Sequence, residues 1–167
     1  MDMNILAAGE GQSLPLGEGA TLVVKEDGSR TRGNLMVAEM EIVPGFVAPV
    51  QHVHHAHEES WYVLDGELEF TSGTRQRRVA AGGWVLVPVG IPHTFSNPGD
   101  VPARFLAVMT PNLYLNYFVE TGQRLAELRA AGRTEDDDLR AELGRELMPK
   151  YQTEVIDPVA WEQSHPR

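Results

Sequence analysis

The stretch His52-Val-His54-His55-Ala-His57-Glu58-Glu59-Ser-Trp61-Tyr62-Val-Leu-Asp65-Gly66 gathers four histidines and two glutamates. His52 and His54 are two residues apart, so on an extended strand their imidazoles share one face. Imidazole is the commonest metal ligand among side chains. Glu59 follows five residues after His54, far enough to open the next strand after a short turn. Its face then continues through Trp61 and Val63. A carboxylate at the head of an otherwise apolar face is costly to bury alone, and a divalent cation removes that cost. One more candidate stands apart: His93, in Pro88-Val-Gly90-Ile-Pro92-His93-Thr-Phe95-Ser-Asn97, with Phe95 on its face. Three neutral imidazoles and one carboxylate suit Fe, Mn, Co, Ni, Cu or Zn. Protons compete for the same nitrogens, so affinity is expected to fall below about pH 6.

These residues need strands to hold them. Thr21 to Lys25 reads as a strand, and Leu35 to Val43 as a longer one whose face of Met36, Ala38, Met40 and Ile42 is uniformly apolar and expected to point inward. Trp61 to Leu64 and Glu67 to Phe70 flank Asp65-Gly66, a dipeptide that predicts a β-hairpin with a type I′ turn. Gly73 marks the next turn, with Arg75 to Val79 returning as an exposed polar strand. Trp84 to Pro88, His93 to Asn97 and Ala103 to Met109 complete the set. Strands at roughly 8–12-residue spacing point to a sandwich or barrel. After Pro111 the period changes. Helices are expected over 116–131, with Gly132 as the stop, and over 135–148, with Thr134 as N-cap and Glu135 to Asp138 as a solvated acidic first turn.

The chain has 167 residues, 42% hydrophobic and 23% charged, which fits one ordinary globular domain with an appendage. A net charge of -10 argues against a nucleic-acid partner. With no cysteine, a disulfide framework, a thiolate nucleophile and a zinc finger are excluded. The N-terminus carries no basic, apolar signal-peptide pattern, and no apolar run is long enough to span a bilayer. The expectation is a cytoplasmic protein with no membrane partner.

The two histidine-bearing segments resemble the motifs of the cupin superfamily. The first reads His52-x-His54-x4-Glu59-x6-Gly66, and the second Gly82-x5-Pro88-x-Gly90-x2-His93-x3-Asn97. The family's upstream glycine stands one residue early here, at Gly45. The resemblance implies an all-β core, a double-stranded β-helix (cupin or jelly-roll barrel), with the predicted pair of C-terminal α-helices appended. It places the barrel at 1–118 and the helical extension and tail at 119–167. It also implies a divalent transition metal held by His52, His54, Glu59 and His93, and a homodimer. The helical tail and its aromatic approach, Tyr114, Tyr117 and Phe118, are similar to those of single-domain bacterial cupins related to quercetin dioxygenases.

On that resemblance the leading expectation is a dioxygenase that cleaves an aromatic or enolic small molecule, flavonol-like, with dioxygen as co-substrate. Glu59 would act as ligand and general base, and Trp61, Phe95 and Met40 would line the substrate pocket. A non-oxidative cyclase or isomerase of a polyketide- or sugar-like substrate is the alternative, and a non-enzymatic small-molecule-binding cupin is the third reading. His55 and Glu58 read as exposed bystanders, and His57 as a turn residue at most on the pocket rim.

Overall fold

The computed structural model describes residues 3–48 and 50–165. In chain order its strands are β1 (Gln12–Pro15), β2 (Ala20–Glu26), β3 (Met36–Ile42), β4 (His52–His54), β5 (Glu58–Asp65), β6 (Glu67–Ser72), β7 (Arg75–Ala80), β8 (Trp84–Val87), β9 (Thr94–Ser96), β10 (Ala103–Thr110) and β11 (Thr153–Val155). One antiparallel sheet runs β1-β2-β3-β10-β5-β8. The facing layer is β7-β6-β9, and the pair β4-β11 extends it through isolated bridges at Val47–Ser96 and His52–His93. The two layers close into a double-stranded β-helix.

Period-2 alternation explains the core. Met36, Ala38, Met40 and Ile42 of β3 are all buried, as their pattern predicts, and pair across to Met109, Ala107, Phe105 and Ala103 of β10. Trp61 and Val63 of β5 and Leu22 and Val24 of β2 join the same interior, while Leu68 and Phe70 of β6 close it from the facing layer. Outward-facing residues of β7 are exposed, as expected.

The hairpin expected at Asp65-Gly66 does not form. β5 pairs with β10 and β8, whereas β6 pairs with β7 and β9. Gly66 is instead a corner at which the chain leaves one sheet for the other. Its φ is +73°, and a Cβ there would sit 2.8 Å from the Pro102 carbonyl oxygen. A single residue separates the two strands, too few for a two-residue turn, so the glycine serves a sheet switch rather than a hairpin. The register of Glu59 is therefore set by Met109 of β10 and Val87 of β8, not by a hairpin partner.

Both expected helices are present, as α1 (Leu115–Ala130) and α2 (Asp137–Leu147), and a third, α3 (Pro158–Ser164), follows. Arg133 N bonds Leu128 O across Gly132, whose φ of +81° ends α1. The N-cap of α2 is Asp136, not Thr134: its side chain accepts from Leu139 N at 2.9 Å. Gly122 lets α1 lie against the Pro15 carbonyl, where a Cβ would clash. Glu135 is not a solvated residue either. Its carboxylate is 3% exposed and accepts from Glu18 N at 2.9 Å, while Arg129 and Arg140 lie at 2.7 and 2.6 Å. The Arg140 guanidinium also covers the Phe46 ring at 4.6 Å and bonds the Glu18 carbonyl. These contacts pin α2 over one end of the barrel. The extension is not wholly helical, because β11 returns to pair with β4.

Candidate metal centre and cavity

The centre begins with a backbone constraint. His52 and His93 exchange both main-chain hydrogen bonds, N to O at 3.1 and 3.0 Å. This bridge brings together two histidines far apart in sequence. His54 follows on the same face of β4, and Gly90 N donates to its carbonyl at 2.9 Å, which ties down the loop that leads to His93. Glu59 enters from β5 in the other sheet. All four residues, as expected, come together in the interior, at 7% exposure or less. Asn97, last in the second motif, holds the frame rather than the centre: its amide nitrogen reaches Ile42 O and Val101 O, and its oxygen accepts from Gly99 N.

The hydrogen-bond network assigns the tautomers. His52 Nδ1 donates to Val50 O at 2.9 Å, and His93 Nδ1 to Ile91 O at 3.1 Å. His54 Nδ1 lies 2.8 Å from Thr153 Oγ1. The Thr153 hydroxyl spends its own hydrogen on Tyr151 O, so it accepts from the imidazole. All three rings thus carry their proton on Nδ1 and turn an Nε2 lone pair inward. His54 Nε2 lies 3.3 Å from Glu59 Oε1, and His93 Nε2 lies 3.2 Å from Glu59 Oε2. Lone pairs then face a carboxylate, an arrangement that repels unless a cation lies among them. His54 Nε2 has no hydrogen-bond partner among the described residues, so its lone pair is free to ligate. The nitrogens of His52, His54 and His93 lie within 4.8 Å of one another, and the residues fit a divalent transition metal.

Electrostatics favours a metal ion over a proton. Burial pushes the His52 imidazole well below its usual 6.5, and the neighbouring His93 and His54 add to the shift. Burial likewise lowers His54, against the pull of Glu59. Burial alone would raise the Glu59 carboxyl. Once His54 and His93 also carry a proton on Nε2, the His54 charge and hydrogen bonds from His54, His57 and His93 outweigh that and hold it well below the usual carboxylate range.

His57 departs from the expectation of a rim residue. It is 1% exposed, its ring lies tilted against that of His54 at 4.0 Å, and its Nε2 lies 3.4 Å from Glu59 Oε1. Two residues before Glu59, it shares the inward phase of β5, and that parity is the signal the sequence held. His55 is exposed and paired with Glu154 at 3.1 Å, and Glu58 is exposed, as expected.

His52, Glu59 and His93 line a cavity of about 100 Å³. Trp61, Phe95 and Met40 line it, and so do Tyr114, Tyr117 and Phe118 of the α1 approach. Leu143 and Arg140 of α2 also line it. Burial raises Tyr114 well above the usual phenol range and Tyr117 to about 12, so both stay protonated phenols. Sequence reasoning did not find Thr153 or Arg140. Neither lies in a motif, and both act only through long-range packing.

In the metal-free protein, His52 and His54 titrate lower folded than unfolded. Above pH 6.5 they add no pH dependence; below it, the unfolded chain binds protons that the native chain refuses, so stability falls as pH drops. Glu59, held below 4.5, has the same sign and adds its loss at lower pH still. Thermal melts of chelator-treated protein should give a lower Tm at pH 5.5 than at pH 7.5, and a His52→Asn variant should show a smaller drop. A Tm that is flat or rises on acidification contradicts this.

Comparison with known proteins agrees with this geometry. The family model described as Cupin domain matches residues 38–109. A mannose-1-phosphate guanylyltransferase of Escherichia coli O157:H7 is 32% identical over 56 residues, which is 34% of this chain and only 12% of that protein. Among solved structures, KdgF from a Halomonas species superposes with a TM-score of 0.58 at 17% identity, over 66% of this chain and 94% of that one. A putative sugar phosphate isomerase from Acidithiobacillus ferrooxidans does so with 0.51 at 27% identity, over 64% and 74%. The motif-bearing barrel therefore has support as a cupin domain, and its solved neighbours share the fold.

Proposed function

We propose that this cupin-fold protein is a metal-dependent enzyme acting on an aromatic or enolic small molecule, with dioxygen-dependent, flavonol-like ring cleavage as the leading reaction. The observation that carries the reading is the convergence of the His54 and His93 lone pairs on Glu59 at the end of an apolar, aromatic-walled cavity. A divalent ion of Fe, Mn, Ni, Co, Cu or Zn, held by His52, His54, Glu59 and His93, would supply Lewis-acid polarisation of a substrate oxygen. Glu59 has a second role as general base for the substrate hydroxyl, with His57 donating to its Oε1 and fixing its orientation. Trp61, Phe95 and Met40 hold an apolar ring and keep water out. Residues 1–118 form the barrel in this reading, and the extension 119–167 covers its mouth.

The second reading is a non-oxidative isomerase or cyclase, favoured by the neighbour titled a putative sugar phosphate isomerase. The cavity wall speaks for the aromatic substrate. Among its lining residues Arg140 is the single Lys or Arg, and it is already paired with Glu135. A phosphorylated sugar would find little else to bind.

Purified protein should carry one transition-metal ion per chain by elemental analysis. Thr153→Val, which frees the His54 Nδ1 proton, should weaken Co(II) affinity about 10–100-fold with the fold intact; an unchanged affinity rejects the tautomer argument. Metal-loaded protein should consume oxygen when given a flavonol, and Glu59→Gln should abolish uptake while the chain still folds. Turnover of an enolisable substrate without oxygen uptake would establish the second reading, and no turnover at all would leave a binding protein.

We also propose the homodimer. Tyr62 and Trp84, cross-strand partners, and Leu86 form an exposed apolar face at the β8 edge of the six-stranded sheet. Light scattering should give twice the chain mass for wild type and the single mass for Leu86→Glu. A mass that this variant leaves unchanged rejects the face.

A further inference from the structure

Four buried histidines meet at the centre, and one of them holds its proton the opposite way round. His52, His54 and His93 each have an acceptor for the Nδ1 proton, in Val50 O, Thr153 Oγ1 and Ile91 O. His57 has none: its Nδ1 is buried and has no hydrogen-bond partner among the described residues. Its other nitrogen, Nε2, lies 3.4 Å from Glu59 Oε1. The proton of a neutral imidazole belongs on the nitrogen that faces an acceptor, so His57 carries it on Nε2 and donates to the carboxylate. The ligand atoms of His54, His57 and Glu59 lie within 4.8 Å of one another, close enough for His57 to ligate as well. A histidine that ligates a metal, however, almost always donates its other N–H to an acceptor. His57 lacks that acceptor, so it reads as a donor beside the centre and not as a fifth ligand.

That donor makes the two oxygens of Glu59 unequal. Oε1 lies 3.3 Å from His54 Nε2, and Oε2 lies 3.2 Å from His93 Nε2. Two atoms bonded to one ion at about 2.0–2.2 Å stand about 3–3.5 Å apart, so distance alone lets either oxygen, or both, join those nitrogens on a metal. The N–H of His57 separates the two cases. The positive end of its dipole lies on the Oε1 side, and the side chain that carries it is 0% exposed, so water screens it little. It stabilises the negative charge on Oε1 and opposes a cation there, whereas on the Oε2 side stands the His93 lone pair.

We propose that His57 is a positioning residue that withholds Glu59 Oε1 from the metal, so that the carboxylate ligates through Oε2 alone and one coordination position stays open for substrate. This rests on the reading of the centre as a metal site, and it assigns the base within that reading. Oε1, off the ion, keeps a lone pair for the proton of the substrate hydroxyl. A carboxylate that ligated through both oxygens would fill the open position and leave neither oxygen free.

The test uses the full chain loaded with Co(II), with azide as the probe of the open position and absorbance as the readout. His57→Leu removes the donor, and His57→Gln supplies an amide N–H in its place. Wild type and His57→Gln should share one visible Co(II) spectrum and one azide affinity. His57→Leu should show a weaker visible band, because a second carboxylate oxygen raises the coordination number. It should bind azide about 10-fold more weakly, with no loss of Co(II) affinity. His57→Phe, which keeps a ring but no donor, should behave as His57→Leu does, and it makes the same comparison if that variant does not fold. Donor-less variants with the wild-type spectrum and azide affinity overturn the role of His57 while leaving the metal site standing. Variants that fold but lose Co(II), His57→Gln included, make His57 a ligand and overturn it as well. Wild-type protein that binds Co(II) but not azide overturns the open position. Wild-type protein that binds no Co(II) brings down the metal reading, and this inference with it.

Discussion

A carboxylate buried at 4% exposure among imidazole nitrogens is the constraint on which the structure turns. Glu59 cannot be there alone, because the desolvation of a lone carboxylate is prohibitive. It cannot be there with three Nδ1-protonated histidines alone, because their inward lone pairs repel it. The elements near the centre hold these groups in an arrangement that a cation among them relieves. The carbonyls of Val50 and Ile91 and the hydroxyl of Thr153 fix the tautomers. His57, also buried, brings its Nε2 to 3.4 Å from Glu59 Oε1, the oxygen that His54 also faces.

That arrangement needs both layers of the barrel. The His52–His93 backbone pair joins β4 to the segment leading into β9, while Glu59 stands on β5 in the opposite sheet, between β10 and β8. The sheet switch at Gly66 lets the strand bearing Glu59 and the strand bearing Phe70 face each other across the interior instead of lying side by side. The helices then decide what the centre meets. The buried Glu135, with Arg129, Arg140 and the Glu18 amide, anchors α2 on the β1–β2 turn. Gly122 sets α1 against Pro15. The result is an aromatic wall, with Tyr114 against the His54 and His57 rings and Arg140 also in the lining.

Local pattern was legible wherever it decided local structure. The alternation of Met36, Ala38, Met40 and Ile42 named the inner face of β3, and the spacing of the histidines and Glu59 named the groups that meet. The same local logic failed at Asp65-Gly66. A glycine with positive φ serves a type I′ turn and a sheet-switching corner equally well, and only the partners of β5 and β6 tell them apart. It failed again at Glu135, where an acidic run at a helix start predicts solvation and the β1–β2 turn instead buries the first carboxylate.

The sequence by itself determined the donor set, the alternating faces that bring it inward and the two helices that follow, because each depends on residues a few positions apart. Among the described residues no helix is long and apolar enough to cross a membrane, in keeping with the pattern of short apolar runs. Only the tertiary structure decided which nitrogen each histidine offers, that His57 is buried beside Glu59, and that Tyr114 packs its ring on His54 and lines the same cavity. Thr153 shows why. It fixes the tautomer of His54 from 99 positions away, through the pairing of β11 with β4. A hydrogen bond between segments that far apart leaves no periodic trace in either one, since it is set by how the chain returns and not by what stands nearby.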